Sequence, residues 1–158
     1  PAVTTKMHMA QAVGCAPIVT AWANGNPHVS PVRPDTIAKS LAIGNPADGI
    51  YAIRILRESN GSAYAVPEHD VVEGIKLLAE TEGIFTETAG GVTVSALKNL
   101  ADSGAIKPDE LTVVYITGNG LKTQEAVEDV VNPLHIKPSM GAFEDVIGQR
   151  ISGLVVGG

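Results

Sequence analysis

The stretch LTVVYITGNGLK, residues 111–122, joins an uninterrupted apolar run to a glycine loop. Leu111–Ile116 is rich in β-branched side chains, a composition typical of a buried central strand. Thr117–Gly120 follows it directly and predicts a tight loop. Ligands of parallel α/β sheets bind at the carboxyl ends of the strands. We therefore predict a buried strand that ends at a ligand-binding loop.

The segments before this stretch alternate between strand-like and helix-like patterns. We predict further strands at residues 6–11, 63–66 and 84–86, and helices at residues 36–41, 49–59, 67–82, 88–102 and 142–149. Residues 16–22 are predicted to form a brief helix or an apolar segment. Such alternation favours an α/β fold with a mostly parallel sheet and helices on both faces. We expect residues 1–122 to form the main portion and residues 123–158 a peripheral carboxy-terminal tail.

Two of the predicted helices carry apolar stripes. In the helix that begins at Pro67 the stripe consists of Val72, Ile75, Leu78 and Ala79. In the helix that begins after Glu87 the buried face is expected to hold Val94, Leu97 and either Leu100 or Ala101.

Composition excludes several classes of protein. The chain is 44% hydrophobic, which is enough for a core and argues against a disordered tail. The net charge of −6 offers no basic surface that would neutralise nucleic-acid phosphates. The four histidines share no ligand spacing, so no metal site is expected. No apolar run approaches the length of a membrane span, and a single cysteine cannot form an internal disulfide.

Three motifs are candidates for chemistry, and each has a simpler explanation. The hydroxyl of Thr117 and the bare backbone at Gly118 could contact a ring nitrogen or a phosphate, or form only a turn. Glu87 precedes a predicted helix, where an anion is favoured, and could itself be the capping anion. Ile43–Pro46 could line a pocket or merely end a helix.

The order of these motifs resembles that of the threonine synthase family over nearly the whole chain. The resemblance is carried by Gln11–Val19, Thr36–Ala38, Ile43–Pro46, Ala79–Ala89 and Thr117–Lys122. The Glu-Gly-Ile-Phe phrase within Ala79–Ala89 is shared with related dehydratases. Its combination with Ile-Gly-Asn-Pro and Thr-Gly-Asn-Gly-Leu-Lys is more specific to threonine synthases.

The resemblance implies a fold-type-II pyridoxal-phosphate enzyme, similar to the tryptophan synthase β chain. Its reaction would convert O-phospho-L-homoserine and water to L-threonine and phosphate, with pyridoxal 5′-phosphate as cofactor. Thr117 would then meet the pyridine nitrogen, with Gly118 and Glu87 also at the cofactor. The substrate pocket would be lined by Ser40, Ile43, Gly44 and Asn45.

The sequence also departs from the family. Ala42 stands where an Arg is common, and Thr88 replaces the Pro of a Glu-Pro-Ala motif. The Schiff-base lysine, in a Ser-x-Lys-Asp motif, and the phosphate-binding loop lie upstream of this chain in the family, so no catalytic residue is assigned here. We expect a carboxy-terminal fragment that is inactive alone, binds the cofactor weakly or not at all, and needs the missing amino-terminal portion as its partner. The parent is expected to be a cytoplasmic homodimer.

Two alternatives remain open at this stage. A threonine or serine dehydratase relative would release a keto acid and ammonia instead of threonine and phosphate. A stand-alone, non-catalytic α/β binding module would have a polar surface and be monodisperse. A fragment would instead expose an apolar face where the missing portion packs.

Overall fold

The computed structural model describes residues 4–131 and 134–155, which form two compact units that divide after Val127. The second unit contains α5 (Glu128–Val131) and α6 (Met140–Val155). The first unit contains, in chain order, β1 (Met9–Ala12), α1 (Pro17–Ala23), α2 (Gly49–Glu58), β2 (Ala63–Val66), α3 (Glu68–Glu82) and α4 (Thr88–Asp102). None of the described helices has both the length and the apolar composition needed to cross a bilayer.

The sheet of the first unit is parallel, with β1 paired to β2 in a register that joins Met9 to Ala63 and Ala12 to Val66. Successive side chains of a strand point to opposite faces. Ala12 and Val66 pack into a core with residues of α3 and α4, whereas Met9 packs against residues of α1 and α2. The predicted α/β fold, with a parallel sheet and helices on both faces, is confirmed.

Most of the predicted helices are present near their predicted bounds. The start of α1 is fixed by Gln11, whose Oε1 accepts hydrogen bonds from the backbone N–H groups of Ile18 and Val19, both at 3.0 Å. The end of α3 is set by Gly83, whose φ of 68° lies in the left-handed region that favours glycine. The predicted strand at Ala63–Val66 is β2, with the same bounds.

The prediction of a buried central strand at residues 111–116 is wrong. The backbone there has no strand partner, and the side chains of Leu111, Val113 and Tyr115 are 96%, 71% and 73% exposed. A strand is buried only when neighbouring strands and covering helices are present. Within the described residues the sheet consists of β1 and β2, and neither pairs with this run.

Three shorter predictions also need correction. The opening strand is confined to Met9–Ala12, and of Ile84–Thr86 only Thr86 pairs, as an isolated bridge. The helix predicted at residues 36–41 is reduced to one 3-10 turn at Lys39–Leu41. The hydroxyl of Thr36 and the N–H of Ile37 instead donate to Glu68 Oε2, which holds this segment away from helical geometry.

The buried face of α3 differs from the predicted stripe. Val71, Gly74 and Ile75 are buried, whereas Val72 and Leu78 are half-buried and Ala79 is exposed. The reason is a close approach to α4: a β-carbon on Gly74 would lie 2.3 Å from the carbonyl oxygen of Gly91. Small residues therefore set the contact between α3 and α4, and glycine has no apolar side chain that would mark this face in the sequence.

The buried face of α4 is closer to expectation. Val94 and Leu100 are buried and Leu97 is half-buried, but Ala101 is exposed.

Candidate functional site

The residues before α4 pair directly with the glycine loop. The N–H of Glu87 donates to the carbonyl of Gly118 over 3.1 Å, and the N–H of Gly120 donates to the carbonyl of Phe85 over 3.0 Å. The hydroxyl of Thr86 donates to the same Gly118 carbonyl over 3.0 Å. Two motifs that are far apart in sequence therefore form one antiparallel contact, which the structure builds without the predicted strand.

The glycines of this loop are required by close packing. A β-carbon on Gly118 would lie 1.8 Å from Glu87 Oε1, and one on Gly120 would lie 2.5 Å from the Phe85 ring. Neither glycine is among the described positive-φ residues, so left-handed backbone is not the reason for their presence. The loop is more than a turn, because its glycines accommodate the side chains of a second segment.

Lys122 forms an ion pair with Glu87. Its Nζ lies 2.8 Å from Glu87 Oε2, and the Glu87 side chain is only 4% exposed whereas that of Lys122 is 60% exposed. Glu87 Oε2 accepts no hydrogen bond, so the attraction to Lys122 is chiefly electrostatic. Lys122 ends a 3-10 turn that begins at Gly120 and is capped by Asn119, whose Oδ1 accepts from the N–H of Leu121 at 2.9 Å.

The start of α4 is buried. Glu87 occupies the N-cap position, yet its side chain makes no capping hydrogen bond, so its interpretation as the capping anion is wrong. The N–H of Thr88 donates instead to the hydroxyl of Thr123 over 3.1 Å. The Thr88 hydroxyl is fully buried without a hydrogen-bond partner. The Glu87 carboxylate lies instead against Gly118 and Lys122.

Thr117 is exposed and immediately precedes Gly118. Its backbone is continuous with the paired segment, so the position of its hydroxyl depends on the contact between Gly118 and Glu87. The structure thus brings together the three residues singled out from the sequence as cofactor ligands. An exposed hydroxyl on a fixed loop can donate to or accept from a bound group.

The second predicted group, Ser40 to Asn45, is fixed by different neighbours. The carbonyl of Gly44 accepts from the N–H of Val32 over 3.0 Å, and a β-carbon on Gly44 would lie 1.9 Å from the Val32 carbonyl oxygen. Ser40, Ile43 and Asn45 are exposed. Among the described residues, no hydrogen bond joins this group to the Glu87–Gly118 contact.

Glu68 is a structural residue for which the sequence gives no motif. It is the first residue of α3, and its carboxylate accepts three hydrogen bonds: from the N–H of Gly14 at 3.2 Å, and from the Thr36 hydroxyl and the N–H of Ile37, both at 2.9 Å. One side chain therefore ties the segments that follow β1 and β2 to the segment that leads to Ser40. An acidic residue in a first helical turn gives no signal of this role, because such residues are common there.

Cys15 lies beside the Ser40–Asn45 group. It is 2% exposed, and burial raises the pKa of its thiol, while a hydrogen bond with the backbone of Ile43 opposes that effect. A buried thiol of raised pKa is a poor nucleophile. The described residues contain no cluster of His, Cys, Asp and Glu side chains that could hold a metal ion.

Comparisons with known proteins agree with the family resemblance that the sequence motifs carry. Residues 1–118 match the sequence profile of the family described as "Pyridoxal-phosphate dependent enzyme". The threonine synthases of Methanosarcina acetivorans and Methanocaldococcus jannaschii are each 37% identical over 144 residues, which is 90% of this chain and 36% of theirs. These matches confirm the resemblance to threonine synthases.

The crystal structure of threonine synthase from Escherichia coli superposes with a TM-score of 0.62 at 17% identity, over 85% of this chain and 31% of that one. At that identity the likeness shows the fold alone. The chain spans about a third of the length of the relatives that it matches.

Proposed function

The chain belongs to the pyridoxal-phosphate dependent enzymes, and we propose that it is the carboxy-terminal part of a threonine synthase. The complete enzyme would convert O-phospho-L-homoserine and water to L-threonine and phosphate. The observation that carries this proposal is the 37% identity to two threonine synthases over 90% of the chain. The match includes the segments that meet at Glu87 and Gly118.

The described residues fit one side of the cofactor. Pyridoxal 5′-phosphate supplies an electron sink that stabilises negative charge on the reacting carbon. Thr117 would hold its pyridine nitrogen through a neutral hydroxyl, which does not enforce the protonated ring that a carboxylate would. Gly118 lacks the β-carbon that would meet the Glu87 carboxylate, and that carboxylate, held by its contacts with Gly118 and Lys122, would lie with Gly118 at the cofactor.

The lysine that binds the cofactor covalently would come from another part of the enzyme. Four lysines of this chain are paired with carboxylates, namely Lys6, Lys76, Lys98 and Lys122, and Lys39 donates to the carbonyl of Thr36. Covalent catalysis needs a free amine at the reacting centre. No lysine of this chain lies in the Ser-x-Lys-Asp motif that carries the Schiff-base lysine in the family. We therefore expect the isolated chain to be inactive, with its substrate pocket at Ser40–Asn45 incomplete.

The exposed run at residues 111–116 supports the proposal of a missing partner segment. Leu111, Val113 and Tyr115 occupy alternate positions of this run and are largely exposed. A stand-alone module would cover or replace such side chains. We infer that the amino-terminal portion of the same enzyme covers this run, and that the complete enzyme works as a homodimer in the cytoplasm, as the family resemblance implies.

The test is to express the complete open reading frame that encodes this chain and to incubate the product with O-phospho-L-homoserine. We expect equal amounts of L-threonine and phosphate, measured by amino-acid chromatography and a phosphate assay. The 158-residue chain alone serves as the control and should form neither. A keto acid and ammonia from L-threonine or L-serine would instead identify a dehydratase. Threonine formation by the isolated chain would contradict the assignment of the covalent lysine.

A further inference from the structure

We propose that Lys122 is a positioning residue: its ammonium group holds the Glu87 carboxylate beneath Gly118 and thereby fixes the loop that carries Thr117. The charge pairing itself follows from the geometry of this chain. Its consequence for the cofactor rests on the proposed function, because Thr117 is assigned to the cofactor there.

The carboxylate of Glu87 lies between the loop and a single cation. Its Oε1 occupies the volume that a β-carbon on Gly118 would fill, and its Oε2 lies 2.8 Å from Lys122 Nζ. No other cationic side chain of the described residues lies within ion-pair distance of it. The Glu87 residue is 3% exposed, so water compensates little of its charge.

A buried carboxylate without a counter-ion is energetically unfavourable. It can become hydrated if its side chain turns outward or if it displaces the group that covers it. Here the covering group is the backbone of Gly118. Turning the side chain outward would disturb two backbone hydrogen bonds, from Glu87 to Gly118 and from Gly120 to Phe85. Loss of the Lys122 charge should therefore loosen the loop, although Lys122 is itself largely exposed.

The sequence order reinforces this assignment. Lys122 lies on the 3-10 turn that starts at Gly120, and Thr123, the next residue, accepts from the N–H of Thr88. The loop is thus attached to the start of α4 on both sides of the ion pair. A cation at this position can stabilise the contact between Glu87 and Gly118 from outside the candidate site. Lys122 would therefore act through Glu87 and would not touch the substrate.

The experiment compares residue-resolved amide hydrogen exchange, measured by NMR in the 158-residue chain, for K122M and K122R. K122M should speed exchange at the amides of Glu87, Thr88 and Gly120 by on the order of tenfold or more, whereas K122R should retain the protection. K98M is the matched control, because Lys98 pairs with the exposed carboxylate of Asp102 and should leave those three amides unchanged.

A double variant separates charge from packing. E87Q removes the buried charge, so E87Q/K122M should recover the protection of these amides against exchange. If K122M alone does not fold, the double variant should recover folding. Unchanged exchange in K122M, equal loss in K122M and K122R, or no recovery in the double variant would each overturn the proposal. The measurement needs neither cofactor nor substrate. A negative exchange result therefore does not contradict the proposed enzyme activity. A negative activity assay likewise does not contradict the role of Lys122.

Discussion

The backbone N–H of Glu87 donates to the carbonyl of Gly118, while the side chain of the same glutamate occupies the space where Gly118 lacks a β-carbon. Two residues 31 positions apart in the sequence are thereby joined through both backbone and side chain. The candidate site depends on this contact, because Thr117 precedes Gly118 and α4 begins directly after Glu87.

Replacing Gly118 with alanine should therefore destabilise the chain. The new methyl group would lie 1.8 Å from Glu87 Oε1, and overpacking of this kind costs about 1–3 kcal/mol. The free energy of unfolding from urea titration measures the effect. G141A is the control, because a β-carbon on Gly141 in α6 meets nothing within 4 Å and should be neutral or slightly stabilising. Equal stability of G118A and the unaltered chain would contradict the contact.

Glu68 should be intolerant of an isosteric change. E68Q keeps the shape but replaces one acceptor oxygen by an amide group that cannot accept, so one or two of the three donors lose their partner. Leaving a part-buried donor unsatisfied costs about 1–3 kcal/mol. E73Q, which alters an exposed carboxylate on the same helix, should cost well under about 1 kcal/mol. Urea titration distinguishes the two, and similar losses would argue against the role of Glu68.

The stability of the chain should fall as His8 becomes protonated. Its Nδ1 accepts from the N–H of Ser62 at 3.2 Å, and burial, then Lys6, lowers the pKa of His8 from 6.5, with Glu110 opposing. A lowered pKa means that the unfolded state binds the proton more readily. The contribution of His8 is therefore complete above about pH 6.5 and is lost as the pH falls through the lowered pKa.

The measurement is the midpoint of urea unfolding between about pH 5 and pH 8, where histidine titrates. H8N is the control, because its side-chain oxygen can accept from Ser62 without titrating. The decline toward acid pH should be shallower in H8N than in the unaltered chain. If the midpoints of H8N and the unaltered chain decline equally with falling pH, His8 is not the cause of the decline.

Exposed side chains at residues 111–116 should make the isolated chain self-associate. Val113 and Tyr115 are 71% and 73% exposed, and apolar extended edges pair with other chains. V113K/Y115K should reduce association, measured by sedimentation at micromolar concentration, without changing the unfolding free energy. An equal change at another exposed site, such as I50K/Y51K on α2, controls for charge alone. A monodisperse unaltered chain would contradict the prediction.

The thiol of Cys15 should be protected in the folded chain. It is 2% exposed, and burial raises its pKa, so little thiolate is available near neutral pH. Reaction with a disulfide reagent should be at least about tenfold slower in the native chain than in guanidinium chloride. The rate of absorbance change at pH 7 gives the comparison. Rapid native reaction would show that the segment around Ile43 opens readily.

Helices and one strand were predictable from sequence because their signals are local. Periodic apolar residues and terminal glycines mark α2, α3 and α4, and the bounds of β2 agree with the pattern of Ala63–Val66. The glycine loop at Thr117–Lys122 was recognisable as a turn, and the family resemblance marked it as a candidate site. These features depend on residues within a few positions of one another.

The buried face of α3 and the conformation around Thr36 depended on contacts with residues that are distant in the sequence, and no local pattern specifies such contacts. Val72 and Ala79 were predicted on the buried stripe of α3, but the glycine contact with α4 selects a different face. Thr36 was predicted in a helix, but Glu68 holds it in an irregular segment. In each case a contact between distant residues outweighs a weak local preference.

By itself the sequence determined the α/β class and the family resemblance, and through that resemblance it offered Thr117, Gly118 and Glu87 as candidates for the site. Tertiary structure decided that Glu87 meets Gly118 and Lys122, and that Glu68 accepts hydrogen bonds from Gly14, Thr36 and Ile37. It also decided that Leu111, Val113 and Tyr115 are largely exposed. The physical reason is that helices satisfy their own backbone hydrogen bonds, whereas a strand or a buried charge needs a partner from elsewhere in the fold.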